Sequence, residues 1–438
     1  MQDSRKVVFA WSLYDWANSA FATTVIAGFF PIFFSSYWST ANTAQQSTFY
    51  LGMANSLEAV LVALLAPILG SIADRGSYKK RFLIFFTFLG CVMTGGLWFV
   101  QAGMWPVAVM FYILATVGFS GSLIFYDALL PAVASPQKID FVSSLGYGLG
   151  YIGGGLLFLV NVLMYLNPSW FGFADATVAI KAAFVSVAIW WAVFTIPLVV
   201  FVKEPRYATG VKSTHPIKDG IRQFIITFKA IRDLKVVGIF LLAYWFYIDG
   251  VDTIIRMAVD YGSAIGFLAS SLIVALLITQ FIAFPAAILY NLLGKRIGIK
   301  QALLVAIGAY CLIAVLGYFM SELWHFYALA CTIGLFQGGI QALSRSYYTR
   351  LIPIEFSAEF FGFFNMLGKF AAIIGPALIG IVTLSTGSNR LGILSIVVLF
   401  VMGGILLTRV DEQQGKESLQ SFRITMAAKE LEEISSQQ

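Results

Sequence analysis

Charge is scarce in this chain. Its 438 residues carry 28 basic and 22 acidic side chains, 11% in all, where a soluble globular protein has about 25%. A water-soluble core of this size would need a far larger polar shell. Histidine occurs only as His215 and His325, which argues against histidine-based chemistry and leaves aspartate-based chemistry open. The three cysteines, Cys91, Cys311 and Cys331, all lie inside apolar runs and read as small core residues, not as a disulfide or metal framework. Strict polar–apolar alternation is missing, which sets aside a β-barrel. A cleavable leader is not expected either. The first apolar run follows Arg5 and Lys6, but it is long, Asp15 and Asn18 interrupt it, and no small-residue cleavage site stands out.

What the chain has in quantity is apolar surface. Hydrophobic residues make up 59% and phenylalanine alone occurs 40 times. About 20 mostly apolar residues suffice for a helix to cross the hydrocarbon layer, and residues 82–102 form such a run without an ionisable group. Backbone groups in lipid must be paired within the segment, so such runs are helical. The pattern predicts an all-α polytopic membrane protein with spans near 9–36, 50–72, 82–102, 105–129, 141–165 and 178–201. A second set lies near 236–257, 264–291, 302–320, 324–349, 360–384 and 390–409. The expected organisation is a six-helix unit (1–202), a linker (203–235), a second six-helix unit (236–410) and a tail (411–438). An amphipathic helix is expected at Ile217–Ile231.

Net charge of +6 does not signal nucleic acid here, because the basic residues sit in connections between spans. One set of connections carries Lys79, Lys80, Arg81, Lys138, Lys295, Arg296, Lys300 and Arg350, besides Arg5 and Lys6 ahead of the first span; the alternate set carries little beyond Arg390. This asymmetry predicts that both termini face the cytoplasm, and the compact loops suit a cell (inner) membrane. An internal repeat supports the division into units. Asp74–Lys79 follows span two and Lys295–Lys300 follows span eight, 221 residues later. Tyr126–Pro131 ends span four and Tyr348–Pro353 ends span ten, 222 residues later. An even span count gives both copies one orientation, the parallel arrangement of the major facilitator fold.

Charge in hydrocarbon costs at least about 2.5–3.5 kcal/mol on insertion scales, so each such residue needs a reason. Asp249, Asp252 and Arg256 stand at i, i+3 and i+7 on one face of span seven. They fit a proton-coupling carboxylate in an aqueous cavity, or an ion-paired cluster that holds helices or gates the exterior. Lys369 in span eleven fits a carboxylate-binding or charge-neutralising role, or snorkelling. Gln337, Gln341, Ser344 and Arg345 form a stripe on span ten, with donors and acceptors that suit a zwitterion and equally suit interhelical bonds. Asp15 and Asn18 on span one mark an entrance, or an interfacial cap. Glu58 on span two is a gate, a coupling site or a paired structural residue. At the turn after span two, Asp74 and Arg75 face Asp127 at the end of span four. An Arg75–Asp127 pair would form a breakable lock, against the alternative of charge that only fixes topology. Gly146, Gly150 and Gly154 give small-xxx-small steps for close helix approach, and Pro376 can kink span eleven.

Five segments carry a resemblance: YDWANSAFATTV (14–25), GSIADRGSYKK (70–80), FYDALLP (125–131), GGIQALSRSYYTRLIP (338–353) and EFFGFFNMLGKFAAIIGP (359–376). In this order they resemble the major facilitator superfamily, and within it the group related to the fungal autophagy-associated vacuolar effluxer. The resemblance implies transport by alternating access, with spans one, four, seven and ten lining the cavity and amino acids as the solutes of the fungal relatives. It implies that Asp74 approaches helix eleven and that a loop base approaches Asp127. Ser77 stands where that family's loop usually has glycine, and Tyr78 where it has a base. The resulting expectation is a monomeric secondary or facilitative carrier of a small polar organic solute, proton-coupled and without a cofactor. An intramembrane enzyme acting on a lipid-like substrate and a non-transporting receptor or scaffold are the other classes.

Overall fold

The computed structural model describes residues 2–42, 44–204, 234–264 and 266–421. The helix expected at Ile217–Ile231 lies outside the described residues, as does the tail beyond 421; within the tail, 412–421 is helical.

The chain folds into long helices whose limits follow its apolar runs. They are α1 (Arg5–Trp38), α2 (Ala44–Gly76), α3 (Lys79–Gly96), α4 (Trp105–Val133), α5 (Ile139–Leu166) and α6 (Ala176–Phe201), then α7 (Lys235–Ala264), α8 (Ala269–Ile297), α9 (Ile299–Tyr318), α10 (Leu323–Leu351) and α11 (Ser357–Thr386). The last, α12 (Asn389–Thr408), is interrupted at Ile396. Among the described residues eleven helices are long and apolar enough to cross a membrane. The protein is a multi-pass, all-α membrane protein with a major-facilitator-like arrangement.

Its surface explains the composition. Phe88, Leu64, Ile189, Leu289, Leu312 and Ile381 are exposed, as expected of faces solvated by acyl chains, where apolar side chains carry no penalty. Prolines sit inside α2, α4, α6, α8 and α11, tolerated because neighbouring helices satisfy the freed backbone groups. Helix α1 widens to π-helix over Phe21–Phe29 and again over Phe34–Trp38. Such widening recurs at functional sites.

Helix α2 packs on α11, and α5 packs on α8 and α10. Contacts of residues far apart in sequence therefore run through the middle of the molecule. The turn from α2 to α3 requires a left-handed residue, and Ser77 supplies it at φ 51°. The usual glycine of the resembling loop would adopt this conformation without the Cβ strain that serine bears.

Candidate functional site

The Lys/Arg-rich connections lie at one end of the molecule, its basic end. There the polar residues of α1, α4, α5, α10 and α11 converge on one guanidinium. Arg345 of α10 is 1% exposed. Its Nη1 donates to Asp127 Oδ1 of α4 at 3.1 Å and its Nη2 lies 3.4 Å from Asp15 Oδ2 of α1. Nε donates to Ser143 Oγ and Nη2 to the Ser143 carbonyl of α5, both at 2.9 Å. Tyr126 donates to the same Asp15 oxygen at 2.8 Å, and Asn365 of α11 reaches Asp127 Oδ2 at 3.4 Å. The planar cation also lies over the ring of Tyr147, 4.2 Å from its centroid. Arginine alone offers a fixed planar fork able to serve several acceptors and an aromatic face together.

Gly146 makes this convergence sterically possible. A Cβ at that position would stand 2.6 Å from Asp15 Oδ2 and 3.1 Å from Arg345 Nη2. The glycine steps of α5 bring that helix against α1: Gly150 abuts Ser19 and Gly154 abuts Thr23, as the small-xxx-small pattern leads one to expect.

A second buried cluster centres on Asp74 of α2. Asp74 accepts from the backbone N–H of Ala358 (3.2 Å) and Glu359 (2.8 Å), at the first turn of α11, where a carboxylate complements the helix dipole. Lys79 Nζ pairs with Asp74 at 2.7 Å and donates to Ser357 Oγ at 2.9 Å. Ser357 in turn donates to the Ala128 carbonyl of α4 at 3.1 Å. Glu204 caps α3, accepting from the N–H groups of Lys79 (2.9 Å) and Lys80 (3.1 Å). Partial burial raises the Glu204 carboxyl above its ordinary pKa while these two N–H groups oppose the rise. Arg350 of α10 pairs with Asp140 of α5. The described cation on Asp127 is Arg345; the side chain of Arg75, expected there, lies outside the described residues.

The remaining candidates are distributed differently. Asp249 is fully buried and is held by the Gly375 N–H of α11 at 2.9 Å and by Thr253 Oγ1 at 3.3 Å. A Cβ on Gly375 would fall 2.8 Å from Asp249 Oδ1 and closer still to Thr253 Oγ1, so the contact needs glycine. On the i, i+3, i+7 face of α7, Asp249 is fully buried, Asp252 is half-buried and Arg256 is exposed. The side chain of Lys369 lies outside the described residues. Glu58 is buried and accepts from Ser120 of α4 at 2.8 Å. Tyr151 of α5 donates to Gln341 of α10. Asn18 is 2% exposed and its Nδ2 has no partner among the described residues. His325 is structural: its Nδ1 accepts from the N–H of Glu322, capping α10 at the opposite end.

Sequence reasoning missed three participants. Ser143 and Lys79 are ordinary residues by type, and only the packing reveals them. Gln280 of α8 reaches Thr23 in the π-helical part of α1 at 3.3 Å. Its signal was present, since it is a lone amide in the apolar run 272–289.

The family model described as "Vacuole effluxer Atg22 like" matches residues 39–420. The chain is 40% identical over 406 residues to the uncharacterized MFS-type transporter YxiO of Bacillus subtilis, covering 92% of this chain and 94% of that protein. It is 22% identical to autophagy-related protein 22 of Yarrowia lipolytica, covering 83% and 75% respectively. Among solved structures it resembles the human organic anion transporter MFSD10 (TM-score 0.70, 14% identity, 93% of this chain and 100% of that one). It also resembles the proton:xylose symporter XylE (TM-score 0.66, 14% identity, 95% and 97%). At these identities the two structures establish the fold alone.

Proposed function

Because the chain belongs to the Atg22-like vacuole effluxer family, we propose that it is a secondary transporter that moves a small polar organic solute by alternating access. In this reading twelve spans form two parallel six-helix halves, α1–α6 and α7–α12, joined by the linker 203–235, with the tail at 411–438. The basic end faces the cytoplasm of a cell (inner) membrane, both termini lie on that side, and the carrier works as a monomer.

The observation that carries the reading is the Arg345 convergence. One buried cation of the second half is held by carboxylates and a carbonyl of three helices of the first half. A buried pair like this contributes little net stability, because desolvation offsets attraction, yet it is costly to leave half-broken. That combination suits a closure with two discrete states. In this reading Asp74, Arg75, Asp127 and Arg345 form a cytoplasmic gate, and the Arg345 contacts belong to its closed state. Asp15 and Asn18 line its inner side. Asp249, Asp252 and Glu58 are the candidates for proton coupling, with Arg256 and Lys369 as the candidate cations. Gln337 and Gln341 supply neutral hydrogen-bonding groups for the solute, and amino acids are the first solutes to test.

Uptake of radiolabelled amino acids and other small polar solutes into proteoliposomes, with an imposed proton gradient, tests the proposal. Gradient-driven accumulation that an ionophore abolishes is the expected result. Accumulation indifferent to the gradient removes the coupling, and no movement of any solute removes the transporter.

A further inference from the structure

A cavity of about 90 Å³ lies among α7, α8, α9, α10 and α12, towards the end opposite the basic one. Its wall is apolar, with Ile254, Leu272, Ala314, Phe326 and Ile333 among its residues. Two hydroxyls on the wall have already placed their protons. Tyr261 donates to the Gly317 carbonyl at 3.0 Å, and Thr279 donates to the carbonyls of Ala275 and Ala330 at 3.0 and 3.1 Å. One polar group remains. Gln337 borders the cavity and is 9% exposed, and its Oε1 is buried with no hydrogen-bond partner among the described residues.

We infer that this cavity is a binding site for a small apolar molecule that carries one hydrogen-bond donor, of the size and kind of a short-chain alcohol. Volume sets the size. A cavity of about 150 Å³ holds benzene, so a volume of about 90 Å³ suits a guest of a few heavy atoms. The wall sets the apolar character, since it is lined mostly by hydrocarbon side chains and its two hydroxyls already donate to backbone carbonyls. The orphaned carbonyl sets the donor, because a buried acceptor left unpaired is destabilising and a guest hydroxyl would satisfy it. No residue of α1–α6 is among those lining the cavity, so of the proposed solute pathway the site shares Gln337 alone.

The probe is 2,2,2-trifluoroethanol, followed by ¹⁹F NMR on the full-length protein in detergent. A saturable shift with a millimolar dissociation constant is expected. Ala314→Leu, or Ala275→Leu if that variant does not fold, fills the cavity and is expected to abolish saturation. Gln337→Leu keeps the apolar wall and removes the acceptor, and is expected to weaken binding about tenfold or more. Absence of saturable binding to the native protein, or equal affinity in the filled variants, would overturn the site. Unchanged affinity in Gln337→Leu with loss in the filled variant would overturn the assigned donor chemistry.

Discussion

Asp127 and Asp249 are the same residue type, both buried in apolar surroundings, and the fold treats them in opposite ways. Asp127, with Asp15, receives a cation from a helix more than 200 residues away in sequence. Asp249 receives the N–H of a glycine on α11 and a hydroxyl from its own helix. The first arrangement crosses between α1–α5 and α10, and it must come apart if those helices separate. The second joins α7 to α11 and survives any motion that moves them together. Where the partner comes from, more than the burial of the charge, distinguishes a contact suited to switching from one suited to holding a helix pair.

The largest effect that sharpens this comparison is expected from Arg345→Leu. It strands two carboxylates in a site closed to solvent, and removing one partner of a buried pair costs about 3–5 kcal/mol. Gradient-driven uptake is expected to fall to background, and Arg345→Lys to recover only part of it, because a point charge lacks the fork and the stacking face. Gly375→Ala is the counterpart on the other side. Its Cβ collides with Thr253 Oγ1, and overpacking of this kind costs about 1–3 kcal/mol, to be read as a lower thermal unfolding midpoint in detergent. Asp249→Asn keeps an acceptor for the Gly375 N–H and is expected to lower stability by no more than about 1.5 kcal/mol. A loss as large as that of Arg345→Leu would erase the distinction between the two aspartates. Smallest is Ser77→Gly, which relieves a left-handed conformation worth about 1–2 kcal/mol to a residue with a Cβ. Part of that gain is offset by the backbone freedom glycine loses. Its unfolding midpoint is expected to rise slightly, and a fall would show that the Ser77 side chain has a role in the turn.

Much of this architecture was legible in the amino-acid order because lipid imposes a length and a polarity on every span. The apolar runs 105–129 and 141–165 became Trp105–Val133 and Ile139–Leu166, longer by about one turn at most at either end. Asp15, Asp127 and Arg345 each stood out, since ionised groups in hydrocarbon demand partners. Their mutual pairing was not legible. It depends on how helices 218 and 330 residues apart in sequence cross, and no local period encodes that. The π-helical stretches of α1 were equally hidden, because their apolar content reads as ordinary helix. Asp249 was recognised as a residue in need of a partner, but that partner is a backbone N–H, which every residue except proline carries and which therefore leaves no mark in side-chain chemistry.

The claim on which the rest turns is that Arg345 holds the basic end shut. Spin labels at Gln137, in the α4–α5 turn, and Gln301, at the start of α9, are both exposed at that end and measure the distance across it by double electron–electron resonance in a cysteine-free background. The native protein is expected to show a short, dominant distance that gives way to a longer population in Arg345→Leu. An identical distribution in both proteins would contradict the account.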